Sequence, residues 1–146
     1  LLQLRRHEKD FLLRRDPQYV DKFRIRAYVF SQQITQLNPI FAKLGDTNTL
    51  FDELSVSFTQ YRTQFLSLVS LQTQIGLDEN SGFQGRFRQA THRLEEQLQR
   101  FNQTDLQILM LQMRRSEKDF LLRKQLVYVE RETLFYQQLS LAITTV

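Results

Sequence analysis

Residues 3–21 read QLRRHEKDFLLRRDPQYVD, and residues 112–130 read QMRRSEKDFLLRKQLVYVE. Laid over each other at a constant offset of 109, the two stretches are identical at twelve of nineteen positions, without a gap. Leu4/Met113, Arg15/Lys124 and Asp21/Glu130 are conservative exchanges. Two copies of one unit imply two copies of one local task.

The repeated unit has helical spacing. On a helical wheel Leu1, Arg5, Glu8, Leu12, Arg15 and Tyr19 fall on one stripe, with Phe11 at its edge. The second copy carries Met113, Glu117, Phe120, Leu121, Lys124 and Tyr128 on the same stripe. Glu8 and Glu117 are therefore expected on the apolar side. An unpaired charge there is costly, so each should meet an Arg or Lys of its own helix or the next. One reading is an ion-pair clamp between helices. The other is a polar pocket whose arginines receive an anion, for which the planar guanidinium fork is well suited.

The composition points to helix. Among 146 residues there are only 4 glycines and 2 prolines, which argues against a β-sandwich or a disordered chain. Twenty basic and 16 acidic side chains, a net charge of +4, are mixed along the chain with no separate basic block, so no nucleic-acid partner is expected. The absence of cysteine excludes disulfides and thiol nucleophiles. No run of about 18 apolar residues occurs, so nothing here is expected to span a bilayer. The chain opens on Leu-Leu-Gln within an amphipathic pattern and ends on Leu-Ala-Ile-Thr-Thr-Val, and it reads as one domain excised from a longer protein.

Taken in order, the pattern predicts four helices, at about 1–44, 48–75, 83–102 and 105–146. In the first, Phe23, Ala27, Phe30, Ile34, Leu37, Phe41 and Leu44 form a heptad seam. It joins the motif through consecutive spacings of four at Tyr19, Phe23 and Ala27, a stutter. Asp16-Pro17 offers either a kink or an N-cap followed by a first helical residue. Gln125-Leu126, its counterpart, carries no such signal, so one kinked helix is favoured, with two helices meeting at Pro17 as the alternative. Pro39 is a weaker kink candidate.

Gly45 should close the first helix, with Asp46, Thr47 or Asn48 capping the next. Phe51, Leu54, Phe58, Tyr61, Phe65, Leu68, Gln72 and Ile75 then keep a strict alternation of three and four. Leu77–Gly82 reads as a connection between antiparallel helices. The third helix carries Phe83, Phe87, Ala90, Leu94, Leu98 and Phe101, and Asn102–Asp105 offers a soft break before the fourth. The expected fold is all-α, an elongated antiparallel up-down four-helix bundle with an aromatic-rich core.

Chemistry-bearing motifs are scarce. A di-iron bundle needs Glu-x-x-His pairs, and neither His7 nor His92 has a Glu three residues before it. No zinc-protease motif, phosphate-binding glycine loop or nucleophile elbow occurs. No enzyme, metal or cofactor is expected. His92 falls with Arg88 and Glu95 on one side of the third helix, a polar cluster and a secondary candidate for ligand contact.

Arg-Arg-x-Glu-Lys-Asp-Phe-Leu-Leu-Arg, at Arg5–Arg14 and Arg114–Arg123, resembles the extracytoplasmic sensor domains of bacterial methyl-accepting chemotaxis proteins, closest to the helical bimodular type. The stretch from Gly76 to Arg88, continuing to His92 and Glu95, is similar to a segment common in such receptors. The resemblance implies a periplasmic helical domain of an inner-membrane receptor, flanked by two transmembrane helices, with a cytoplasmic signalling coiled coil. Organic acids are the implied ligands. Full bimodular domains stack two bundles and are longer than this chain.

On that reading Arg5, Arg15, Arg114 and Lys124 hold the anion, Tyr19 and Tyr128 donate hydroxyls, and Glu8 and Glu117 form inward ion pairs. A weak homodimer is expected. Two alternatives remain open: the sensor domain of a histidine kinase, and a helical scaffold whose repeat only fastens helices.

Overall fold

The structure, a computed structural model, describes residues 1–43, 49–101 and 104–144. Among them are six α-helices and no strand: α1 (Leu2–Arg14), α2 (Gln18–Lys43), α3 (Thr49–Ile75), α4 (Gly82–Phe101), α5 (Thr104–Arg123) and α6 (Val127–Thr144). The expected Leu44 seam position, the caps at Gly45, Asp46, Thr47 and Asn48, the turn at Asn102 and Gln103 and the side chain of Phe101 lie outside the described residues. None of the described helices is long and apolar enough to cross a membrane.

Two of the four expected helices are each divided in two. Residues 15–17 separate α1 from α2, the alternative reading of Asp16-Pro17, and residues 124–126 separate α5 from α6 where no break was expected. The two turns have the same backbone. Arg15 and Lys124 are left-handed, and their N–H groups reach Phe11 and Phe120 carbonyls at 2.7 Å, closing the helix before each turn. Pro17 and Leu126 carbonyls then accept from Val20 and Val129 at 2.9 Å, opening the helix after it. Asp16 adds a cap in the first copy: its carboxylate accepts the Gln18 N–H at 2.9 Å and also the Gln18 side-chain amide. Those bonds hold the Asp16 carboxyl below its usual range. α2 runs through Pro39 to Lys43.

The chain divides into two compact units, residues 1–86 and 87–146. In the first, α1 packs on α2 and α2 on α3. Its core joins Leu4 and Phe11 of α1, Val20, Phe23, Ala27 and Ile34 of α2, and Phe58 and Phe65 of α3. Phe65 is the hub, 4.3 Å from the Phe23 ring and edge-on to Phe11 at 5.9 Å. Each such ring contributes about 1.5–3 kcal/mol by burial, and each pair about 0.5–1.5 kcal/mol more. The buried face of α1 corrects the expected stripe: Leu4 is fully buried, whereas Leu1 is 63% and Leu12 47% exposed.

The second unit packs α5 on α6 around Leu106, Met110 and Leu139, with Leu98 of α4 joining them. The clustered side chains here are aliphatic, with Tyr128 of α6 buried as well, whereas the expected cluster of aromatic rings lies within residues 1–86. Phe83 and Phe87 are exposed, and the Arg86 guanidinium covers the Phe83 ring at 4.6 Å.

The expected connection at 77–82 is a tight loop. Ser81 Oγ accepts the N–H groups of Leu77 and Asp78 at 3.0 and 3.1 Å, and Asp78 Oδ1 accepts that of Asn80 at 2.8 Å. Gly82 is left-handed, and a Cβ at Gly85 would collide with the Asn80 carbonyl.

Candidate functional site

The three-residue turn decides which side chains meet. Because α2 doubles back on α1, side chains of the two helices meet about the turn: Arg14 approaches Tyr19, Lys22 and Arg26 act on His7, and Gln3 and Asp10 line the same groove. On α1, Arg6, Asp10 and Arg14 stand at helical spacing, and the Nε atoms of both arginines lie 4.0 and 3.9 Å from the Asp10 carboxylate. From α2, Lys22 brings its ammonium 4.9 Å from the Tyr19 ring centroid, while Arg14 approaches the same ring at 5.8 Å.

These side chains line an open groove of about 410 Å³, completed by Gln3, His7 and Arg26. Arg6, Arg14, Lys22 and Arg26 line the groove with one carboxylate, that of Asp10, so the groove carries a net positive charge. Such a surface concentrates anions, and its guanidinium edges match a carboxylate fork. The imidazole of His7 sits among them with Nδ1 sealed and without a hydrogen-bond partner. Burial first, then Lys22 and the two arginines nearest it, push the ring below its ordinary pKa, with Asp10 opposing.

The second copy rebuilds part of this arrangement in its own unit. Arg123 and Arg131 both approach the Tyr128 ring at 5.7 Å, Arg123 donates to the Tyr128 hydroxyl at 2.8 Å, and its Nε lies 3.6 Å from Asp119. Ser116 and Phe135 replace His7 and Arg26, so the cation excess is smaller.

The residues singled out from sequence are distributed differently. Tyr19 and Tyr128 do stand among cations, but the cations are Arg14 and Arg123, one position before the expected Arg15 and Lys124. Arg15 and Lys124 are exposed at the breaks. Arg5 is exposed and acts on Tyr61, away from the groove. Glu8 meets a tyrosine instead of the expected cation: the Tyr61 hydroxyl donates to its Oε2 at 2.7 Å.

Glu117 does face a cation, Arg114 Nε at 3.8 Å, and Arg114 Nη1 donates to Glu95 of α4 at 2.9 Å. His92 Nδ1 lies 3.3 Å from Glu95, completing that cluster, while Arg88 is exposed. A smaller hollow of about 200 Å³ lies beside it, lined by Leu98, Met110 and Leu111 with Glu95.

Sequence reading missed Arg6, Asp10, Arg14, Lys22 and Arg26 as a group. The available signal was the i, i+4 ladder Arg6–Asp10–Arg14 next to a turn that returns the chain. Among the described residues no cluster of three or more His, Asp or Glu side chains could hold a metal ion. Comparison of the chain with protein-family models, with curated proteins and with solved structures finds no match.

Proposed function

We propose that this chain is the extracytoplasmic ligand-sensing domain of a transmembrane chemoreceptor, binding a small organic acid and passing a helix displacement across the membrane. The observation that carries the reading is the groove of the α1–α2 hairpin, lined by four cations and Tyr19 with a single carboxylate, Asp10. A dicarboxylate seated there contacts both helices of one hairpin. Ligand free energy that differs between two arrangements of those helices shifts one against the other.

The resemblance of the repeated decapeptide to receptor sensor domains supports the same reading. With it go an antiparallel up-down four-helix arrangement in the parent receptor, a periplasmic location and a weak homodimer. A histidine-kinase sensor domain differs only in its cytoplasmic half.

A second reading rests on a different observation. Arg114, Glu95 and Glu117 pair across α4 and α5, as expected of a fastening repeat in a helical scaffold.

A thermal-shift screen of mono-, di- and tricarboxylic acids separates the two, because a ligand that prefers the native state raises its melting temperature. At least one acid should stabilise the chain and lose that effect in Arg14→Gln and Lys22→Gln. Stabilisation by none, or an equal shift in both variants, would leave the scaffold.

A further inference from the structure

The two copies of the repeat differ inside and agree outside. The first buries Leu4, Phe11 and Val20, whose counterparts Met113 and Phe120 are half-buried and Val129 exposed. The second buries Met110, Ser116 and Tyr128, whose counterparts are Leu1, exposed, and His7 and Tyr19, half-buried. Core packing therefore does not account for what the copies hold in common. Their outer rows do match: Leu2, Arg6, Lys9 and Leu13 on α1, and Leu111, Arg115, Lys118 and Leu122 on α5, identical residue for residue and all exposed. Spacings of four, three and four align each row along its helix, with leucines about 16 Å apart at its ends. Leu13 is 81% and Leu122 80% exposed, so neither serves its own core. The nearest acids turn elsewhere: Glu8 to Tyr61, Asp10 into the groove, Glu117 to Arg114 and Asp119 to Arg123. Of the row cations only Arg6 reaches one, Asp10 at 4.0 Å.

We propose that each outer row docks on an anionic phospholipid surface, its cations at the phosphates and its leucines among the upper acyl chains. This goes beyond the sensing of a small acid and does not depend on it. Charge selects the occupant: a row of leucines and cations without a carboxylate calls for a negative partner, and the same charges disfavour a second copy of this chain. Shape selects further. Projecting leucines need matching pockets in a folded partner, whereas a fluid headgroup layer yields to them. The long stems of Arg and Lys keep their heads at phosphate level while the leucines sit deeper. A row of this kind lies on a bilayer and does not cross it.

The test is co-sedimentation of the full chain with vesicles of phosphatidylcholine alone and of phosphatidylcholine with about one-third phosphatidylglycerol. The chain should pellet with the anionic vesicles and not with the neutral ones, and raised salt should weaken the binding. Leu13→Ser with Leu122→Ser keeps the charge and should lower the affinity by about tenfold or more, as the loss of buried leucines requires. Lys9→Gln with Lys118→Gln should lower it too, and all four changes together should abolish it. Arg62→Gln with Arg93→Gln removes the same charge from exposed positions on α3 and α4 and should leave most of the binding intact. Melting temperatures check that each variant is folded. Equal losses in the two charge-removing pairs would mean attraction to net charge alone, and leucine variants that bind as the parent does would leave the rows without a role; either overturns the proposal. A parent chain that stays in solution beside both vesicles overturns the lipid surface as occupant, in favour of an acidic protein segment.

Discussion

Arg15 and Lys124, 109 positions apart in the chain, hold one backbone conformation, with φ of 54° and 56°. A left-handed L-residue costs about 1–2 kcal/mol, a cost glycine does not carry. Arg15→Gly and Lys124→Gly should therefore each raise stability in urea unfolding by about 0.5–1 kcal/mol, and the valine variants should lower it. The sign is diagnostic. Glycine inside a continuous helix costs about 1 kcal/mol, so losses at both positions would restore uninterrupted helices.

Leu126→Pro follows from the same equivalence. Leu126 gives its carbonyl to Val129 and Glu130 at 2.9 and 3.2 Å, as Pro17 does to Val20 and Asp21. Proline should be tolerated there, from neutral to a gain of about 1 kcal/mol. A loss of about 3 kcal/mol or more is the outcome for proline in an unbroken helix over 105–146.

These breaks explain what could and could not be read in the sequence. The all-helical fold was legible, because Phe58 and Phe65, like Phe23 and Ala27, are buried at the periods expected of them. The break at Lys124 was not, since Lys-Gln-Leu contains no residue that favours a left-handed turn. Its only signal was that the second copy repeats a stretch whose first copy contains Asp16-Pro17. Extending the heptad phase through position 15 then placed the cations one residue off, at Arg15 instead of Arg14. Glu8 and Tyr61 lie 53 positions apart, a contact local periodicity does not encode.

Phe11 and Phe120 occupy equivalent positions, yet Phe11 is fully buried and stacks edge-on against Phe65, while Phe120 is only half-buried. Phe11→Ala should cost about 3–5 kcal/mol. Phe120→Ala should cost less than half of that, because its ring leaves a space that water already reaches. Equal losses in chemical denaturation would mean that the two copies share one environment.

Tyr61 links α3 to α1 through Glu8, and burial followed by that hydrogen bond pushes its phenol well above the usual value of 10.0. A raised folded-state pKa gives stability that is intact below the unfolded value and is lost as pH rises beyond it. The chain should therefore weaken above about pH 10. Tyr61→Phe should cost about 1–3 kcal/mol at neutral pH by leaving Glu8 half-buried without its donor. It should also reduce the alkaline loss, as read from melting temperatures across the range.

Glu117 decides between clamp and burden. Burial raises its pKa above 4.5, and Arg114 and Lys118 only partly oppose that shift. A carboxyl shifted this way stabilises the fold below its unfolded value and loses that contribution as pH rises through the folded one. Wherever it is charged in the folded state, it is on the unfavourable side. Glu117→Gln resembles the protonated acid and leaves Arg114 its shorter bond to Glu95, at 2.9 Å against 3.8 Å for Glu117. The variant should therefore be more stable than the parent at neutral pH, with the difference vanishing on acidification below the ordinary carboxylate range. Destabilisation at neutral pH would mean that the contact with Arg114 outweighs the loss of hydration. Glu117 would then be a working part of the fastening between α4 and α5, as the scaffold reading requires.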